Sequence, residues 1–209
     1  MSATTAHAAG AHAPHRDDVG SKMGMWLFLF TELILFGGLF IVYAVYRFQH
    51  PEGFRLGAVE LDTLVGTVNT IILLTSSLTI AMSITALQQG RKHLSLALIG
   101  TTLLFAAAFL VNKYFEWGHK FEIGLYPGSP QLTGKPQGEI LYFGLYYVMT
   151  GLHALHVIIG MAVLAAVMLF VARGSVNKDS YVKLEAGGLY WHLVDIIWIF
   201  LFPLFYLIH

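Results

Sequence analysis

The stretch YWHLVDIIWIFLFPLFYL, Tyr190 to Leu207, decides the fold. It is almost purely apolar and aromatic, and a run of this length reads as a helix that crosses a membrane. Two ionisable residues interrupt it, His192 and Asp195. Their i, i+3 spacing puts both on one helix face. Ionisable groups inside such a helix are costly and face protein or a water-filled cavity. One side of this helix is therefore expected to be buried against other helices.

Outward from that helix, the rest of the chain has the same character. Of 209 residues, 56% are hydrophobic and 11% are charged, whereas soluble domains are about half apolar and about a quarter charged. Mean hydropathy is +0.67. Apolar stretches run over about 23–46, 64–87, 94–117 and 140–172, and the last extends over about 181–208. Each meets the need for about 20 residues to cross hydrocarbon. Backbone polar groups cannot go unpaired in lipid, so each span is a helix. The predicted fold is all-α, a polytopic membrane protein with five transmembrane helices over residues 22–209. The fourth stretch exceeds a minimal span and is expected to tilt or project.

Residues 1–21 are polar and Ala/His-rich and read as a disordered tail without the apolar core of a signal peptide. His7, His12 and His15 in it offer a loose metal site at most, and a solvated tail is the simpler reading. The segment 119–139, with Pro127, Pro130, Pro136 and interspersed glycines, is expected to be an irregular surface loop. The formal net charge is zero, which gives no sign of nucleic-acid binding. With no cysteine, disulfides, thiolate metal sites and cysteine nucleophiles are excluded.

Basic residues set the expected orientation. With the N-terminus cytoplasmic, that side holds Arg16, Lys22, Arg91, Lys92, Arg173, Lys178 and Lys183, and the other holds Arg47, Arg55, Lys113, Lys120 and Lys135. The excess favours a cytoplasmic N-terminus and a C-terminus on the opposite side.

Several polar groups lie within the spans. Glu32 is about ten residues into the first, about 15 Å deep at the helical rise. With no Lys or Arg within a turn, its carboxyl is expected to be protonated or bonded to a polar partner. It reads as part of a proton or water path, or as a fastener between helices or subunits. Gly37 and Gly38 permit close approach of another backbone. Thr75, Thr79 and Ser83 form a small-residue ridge suited to tight packing. Asn112 to His119 ends the third span with an aromatic and charged belt that includes Lys113 and Glu116.

His153, His156 and Gly160 share one face of the fourth span. Paired histidines in a membrane raise haem ligation. The helical rise, however, places His153 and His192 about 13 Å apart in depth, too far to bracket one iron. Hydrogen bonding across helices is the simpler reading. The face of His192 and Asp195 is expected to meet the histidines of the fourth span, His156 in particular.

These stretches together resemble subunit III of the haem–copper respiratory oxidases. WLFLFTELILFGGLF (Trp26–Phe40), NTIILLTSSLT (Asn69–Thr79), the segment Lys113–Trp117, TGLHALHVIIG (Thr150–Gly160) and YWHLVDIIWIFLF (Tyr190–Phe202) match it in order over nearly the whole chain. The resemblance is to the short five-helix bacterial type. It implies an accessory subunit of the bacterial inner membrane, part of aerobic electron transport and without catalytic residues of its own. Haem and copper would reside in partner subunits. The chain would pack beside subunit I, with subunit II and other oxidase subunits in the complex, and would bind phospholipid. Glu32, His153, His156, His192 and Asp195 would be structural, or would lie along a lipid or proton path. The role implied is to support proton uptake by the catalytic partner and to preserve its activity. Glu32 and the YWH sequence favour the cytochrome c type, with a quinol oxidase as the alternative. A stand-alone transporter or proton channel using Glu32, Asp195 and the histidines is the rival from a different class. Neither the internal repeats nor the broken helices of transporters are evident.

Overall fold

The computed structural model describes residues 18–178 and 180–208. His7, His12 and His15 lie outside them. The elements are α1 (Asp18–Gln49), α2 (Pro51–Val59), α3 (Thr63–Gln88), α4 (Lys92–Glu122), α5 (Pro130–Thr133), α6 (Gln137–Ala172) and α7 (Val182–Tyr206). α1, which begins inside the stretch expected to be tail, is joined by α3, α4, α6 and α7 as the five helices long and apolar enough to cross a membrane. α6, with 36 residues, is about 54 Å long and exceeds the hydrocarbon core.

Local chemistry sets the ends of these helices. Asp62 caps α3 by accepting from the backbone N–H groups of Leu64 and Val65. The turn to α4 is closed by Gly90, whose φ of 75° is a conformation natural to glycine. α3 and α4 therefore form a tight antiparallel hairpin, and α6 and α7 form a second one. α3, α4, α6 and α7 close into a ring, each touching two neighbours, and α1 lies outside on the seam of α6 and α7. Burial follows this arrangement. In the most apolar window of α7, 56% of residues are buried, against 11% in that of α1. The helix carrying His192 and Asp195 is packed on one side, with Asp195 buried and His192 half-buried.

α1 meets the ring through one narrow stripe, Leu29, Phe36 and Tyr43. Gly37 and Gly38 are not on it. A Cβ added to either would meet nothing within 4 Å, so their expected role in close approach is not exercised within this chain.

The short helix α2 stands between the first two membrane spans, outside the apolar stretches of the sequence. Pro51 at its start fits the first helical turn, where no N–H is needed. Gly53 of α2 abuts Gly138 of α6 backbone to backbone, and a Cβ on Gly53 would lie 2.6 Å from the Gly138 Cα. Phe54 and Ala58 are fully buried there.

The C-terminal end of α7 is tied down from three directions. A helix end leaves its last carbonyls unsatisfied, and in a membrane such groups are costly. Here Tyr43 of α1 donates to the Leu204 carbonyl. Tyr142 of α6 donates to that of Phe205 at 2.6 Å, and Thr63 of α3 to that of Tyr206 at 3.1 Å.

Candidate functional site

The polar residues singled out in the sequence occupy two different places in the bundle. The first is the seam of α1 and α6. Glu32 lies between Leu29 and Phe36 on the inward stripe of α1. Its Oε2 is 2.8 Å from Nε2 of His156, with side-chain exposures of 13% and 10%. The other ring nitrogen, Nδ1, is 2.7 Å from the Leu152 carbonyl one turn back. A carbonyl only accepts, so Nδ1 carries a hydrogen. Nε2 and Glu32 then share a single proton between them. Both ring nitrogens are engaged, which leaves His156 no lone pair for a haem iron. Of the two expectations for Glu32, bonding to a polar partner is the one seen.

The second place is the contact of α3 with α7. The Ser77 hydroxyl is 2.6 Å from Nδ1 of His192. Ser77 also neighbours Asp195, which is 2% exposed and has neither carboxyl oxygen in hydrogen-bond geometry with a partner among the described residues. His192 therefore finds its partner on α3 instead of on α6, and His156 finds its partner on α1. The expected contact between them is replaced because α7 turns this face towards α3. Trp191 donates to the Ser76 hydroxyl at 3.0 Å, and Trp198 to that of Thr70 at 3.0 Å, along the same contact.

His153 stands apart from both. It is fully buried, edge-on to Phe109 of α4 and tilted against Trp198 of α7. Neither ring nitrogen has a partner among the described residues. Gly160, two turns along, leaves room for α7: a Cβ there would lie 2.9 Å from the Trp191 ring.

A third cluster corrects the reading of the α4 end as an interfacial belt. Tyr114 and Phe115 do face outwards, 75% and 67% exposed. Lys113 and Glu116, one turn apart, point into the bundle, and each side chain is 5% exposed. The ammonium lies 3.2 Å from the carboxylate and donates to the Tyr206 hydroxyl at 2.8 Å. Tyr146 and Tyr206 each donate to Glu116 Oε1 at 2.5 Å. A buried pair is tolerated only when its remaining hydrogen bonds are met, and α6 and α7 supply them. The polar ridge on α3 also shifts. Its most buried line runs Asn69, Leu73, Ser76, Ile80, Ser83. Thr79 reaches Thr102 of α4 at 2.7 Å, while Thr75 bonds its own helix at Ile71. Among the described residues no group of three or more His, Asp or Glu is disposed to hold a metal ion.

The model of the family described as cytochrome c oxidase subunit III matches residues 2–209. The chain belongs to that family. Among its relatives is the cytochrome c oxidase subunit 3 of Synechocystis, 33% identical over 199 residues, which covers 95% of this chain and 80% of that protein. The cytochrome bo(3) ubiquinol oxidase subunit 3 of Pseudomonas aeruginosa is 28% identical, covering 97% of this chain and 92% of that one. The haem–copper oxidase subunit I+III of Aeropyrum pernix is 32% identical over 193 residues, which is 90% of this chain and 22% of that longer protein. The chain is thus a subunit III of the haem–copper oxidases and a multi-pass membrane protein.

Within this subunit III fold, Glu32 and His156 are brought together, His192 bonds Ser77 with Asp195 close by, and His153 is held by aromatic rings. Ser77, Lys113, Tyr146 and Tyr206 were not singled out as interior polar partners. A signal for Lys113 was available, because its i, i+3 spacing to Glu116 allows a self-contained ion pair on one helix face.

Proposed function

We propose that this chain is the accessory, metal-free subunit III of a terminal haem–copper oxidase that takes electrons from cytochrome c. It stabilises the catalytic subunit and supports its proton uptake. The observation that carries this is the family match over the whole chain. A relative in which subunits I and III form one protein supports subunit I as the direct partner, with subunit II and the remaining subunits beyond it. Those partners hold the haem and copper.

The geometry supports a packing role. α1 exposes Leu33, Ile34, Ile41 and Val45, and the open surface at Gly37 and Gly38 admits another helix closely. All five spans run as continuous helices, which favours the accessory reading over a transporter built on discontinuous ones. Phospholipid binding is supported by a groove of about 860 Å³ between α4 and α6. It is lined by Leu110, Phe121, Ala154 and Ile158, with His119 and Glu122 at its polar part. The quinol-oxidase alternative draws support from relatives named as quinol oxidase subunits.

The membrane is the bacterial inner membrane, with the N-terminus cytoplasmic. Burial of Lys113 and Lys120 removes both from the loop charges and leaves seven basic residues facing three. A cysteine placed after His209 tests this orientation, and labelling from the cytoplasmic side alone overturns it.

The test of function is to strip the subunit from the purified oxidase and follow oxygen consumption over many turnovers. Oxygen reduction is expected to begin at a measurable rate, with slowed proton uptake and progressive loss of activity. Stoichiometric loss of haem or copper on stripping, or oxygen reduction by the isolated chain, overturns the reading.

A further inference from the structure

Asp195 presents a physical problem within this bundle. A carboxyl inside a membrane-spanning helix is costly, and buried polar atoms as a rule have hydrogen-bond partners, ordered water included. Both oxygens of Asp195 lack one among the described residues, although the side chain is 2% exposed. Ser77 beside it has its hydroxyl 2.6 Å from Nδ1 of His192, and a single hydroxyl has one hydrogen to donate, too few to satisfy both carboxyl oxygens.

A groove between α1, α3 and α7 ends at His192, one helical turn short of this place. It has a volume of about 370 Å³, many times the ~30 Å³ that one water occupies in the liquid. Its floor on α7 is Val182, Glu185, Ala186, Leu189 and His192, successive positions on one helix face. Over the ten helical steps from Val182 to His192 the helix descends about 15 Å. The charged end is marked by an ion pair between Lys22 of α1 and Glu185 of α7 at 3.3 Å, and a pair of this kind, with Lys22 57% exposed, belongs at the water interface. The deep end is His192, and Asp195 lies one turn beyond it.

We infer that this groove is a hydrated half-channel from the Lys22–Glu185 face, passing His192 and Ser77 and ending on water bound at Asp195. The ligand is water, together with the protons that water and an imidazole can relay. His192 suits the passage, since one ring nitrogen is held by Ser77 and the ring itself lines the groove. The path stops at Asp195, because the next residue on that face, Trp198, spends its N–H on Thr70 and packs between Phe109 and His153. Water thus reaches the middle of the bundle from one side without crossing it. The inference concerns this chain itself and holds for either oxidase type.

The experiment is a density map of the purified oxidase in lipid nanodiscs, at a resolution that shows ordered water elsewhere in the membrane-spanning bundle. Water within hydrogen-bond distance of the Asp195 carboxyl is expected, with further water along the groove past His192. A dry Asp195, or acyl-chain density filling the groove, overturns the proposal. Access is read separately by radiolytic labelling in heavy-oxygen water. Label at His192, scaled to the exposed Tyr114, is expected to fall severalfold in Ala186→Phe, which fills the groove. Unchanged labelling in a folded variant overturns access by this route. Leu189→Trp gives the same reading if Ala186→Phe does not assemble.

Discussion

Glu32 and His156 meet at 2.8 Å across the seam of α1 and α6, and they share one proton because the other ring nitrogen is bound to the Leu152 carbonyl. A second link, from the Tyr190 hydroxyl to the His156 carbonyl at 3.2 Å, ties α7 to the same turn of α6. A helix that touches its bundle through one narrow stripe is thereby fixed in depth by a polar bond.

Glu32→Gln keeps the bond, since an amide N–H donates to Nε2, and the variant is expected to assemble and melt close to the wild type. Glu32→Ala leaves Nε2 without its partner, at about 1–3 kcal/mol. Thermal unfolding of the purified assembly checks the order of the two, and equal melting of both variants refutes it.

Lys113 and Glu116 are expected to behave as a coupled pair. Lys113→Met strands a buried carboxylate and Glu116→Leu strands a buried ammonium, each at about 3–5 kcal/mol. The double variant is expected to cost well under the sum, because no lone charge remains. A double-mutant cycle on thermal stability measures this, and additivity counts against the pair.

Ser77→Ala removes the partner of His192 and is expected to lower stability by about 1–3 kcal/mol. Asp195→Leu removes a carboxyl that no hydrogen bond among the described residues holds, and is expected to cost less. Melting curves of the two variants decide between this and a direct His192–Asp195 bond, which would reverse the order.

Gly160→Ala places a methyl group 2.9 Å from the Trp191 ring. Overpacking of this kind costs about 1–3 kcal/mol, and a lowered melting temperature is expected. Gly144→Ala, with nothing within 4 Å of the added carbon, is the control and is expected to melt as the wild type does.

The number and order of the membrane spans were legible in the sequence. A run such as 190–207 has no stable alternative in lipid to a hydrogen-bonded helix. The inward face of α7 was legible too, because His192 and Asp195 cannot face hydrocarbon, and so was membership of the subunit III family. Which helix answers each polar group was decided only by tertiary structure. Periodicity says that a side of a helix is buried but does not name its neighbour, and a small rotation of α7 gives His192 to Ser77 and leaves His156 to Glu32. The same holds at Lys113 and Glu116. Charges near the end of an apolar run read as an interface, and only the hydroxyls of Tyr146 and Tyr206, arriving from two other helices, make their burial affordable. α2 was hidden because its stability comes from Phe54 and Ala58 packed on α6, through the contact of Gly53 with Gly138, residues 85 apart in the chain.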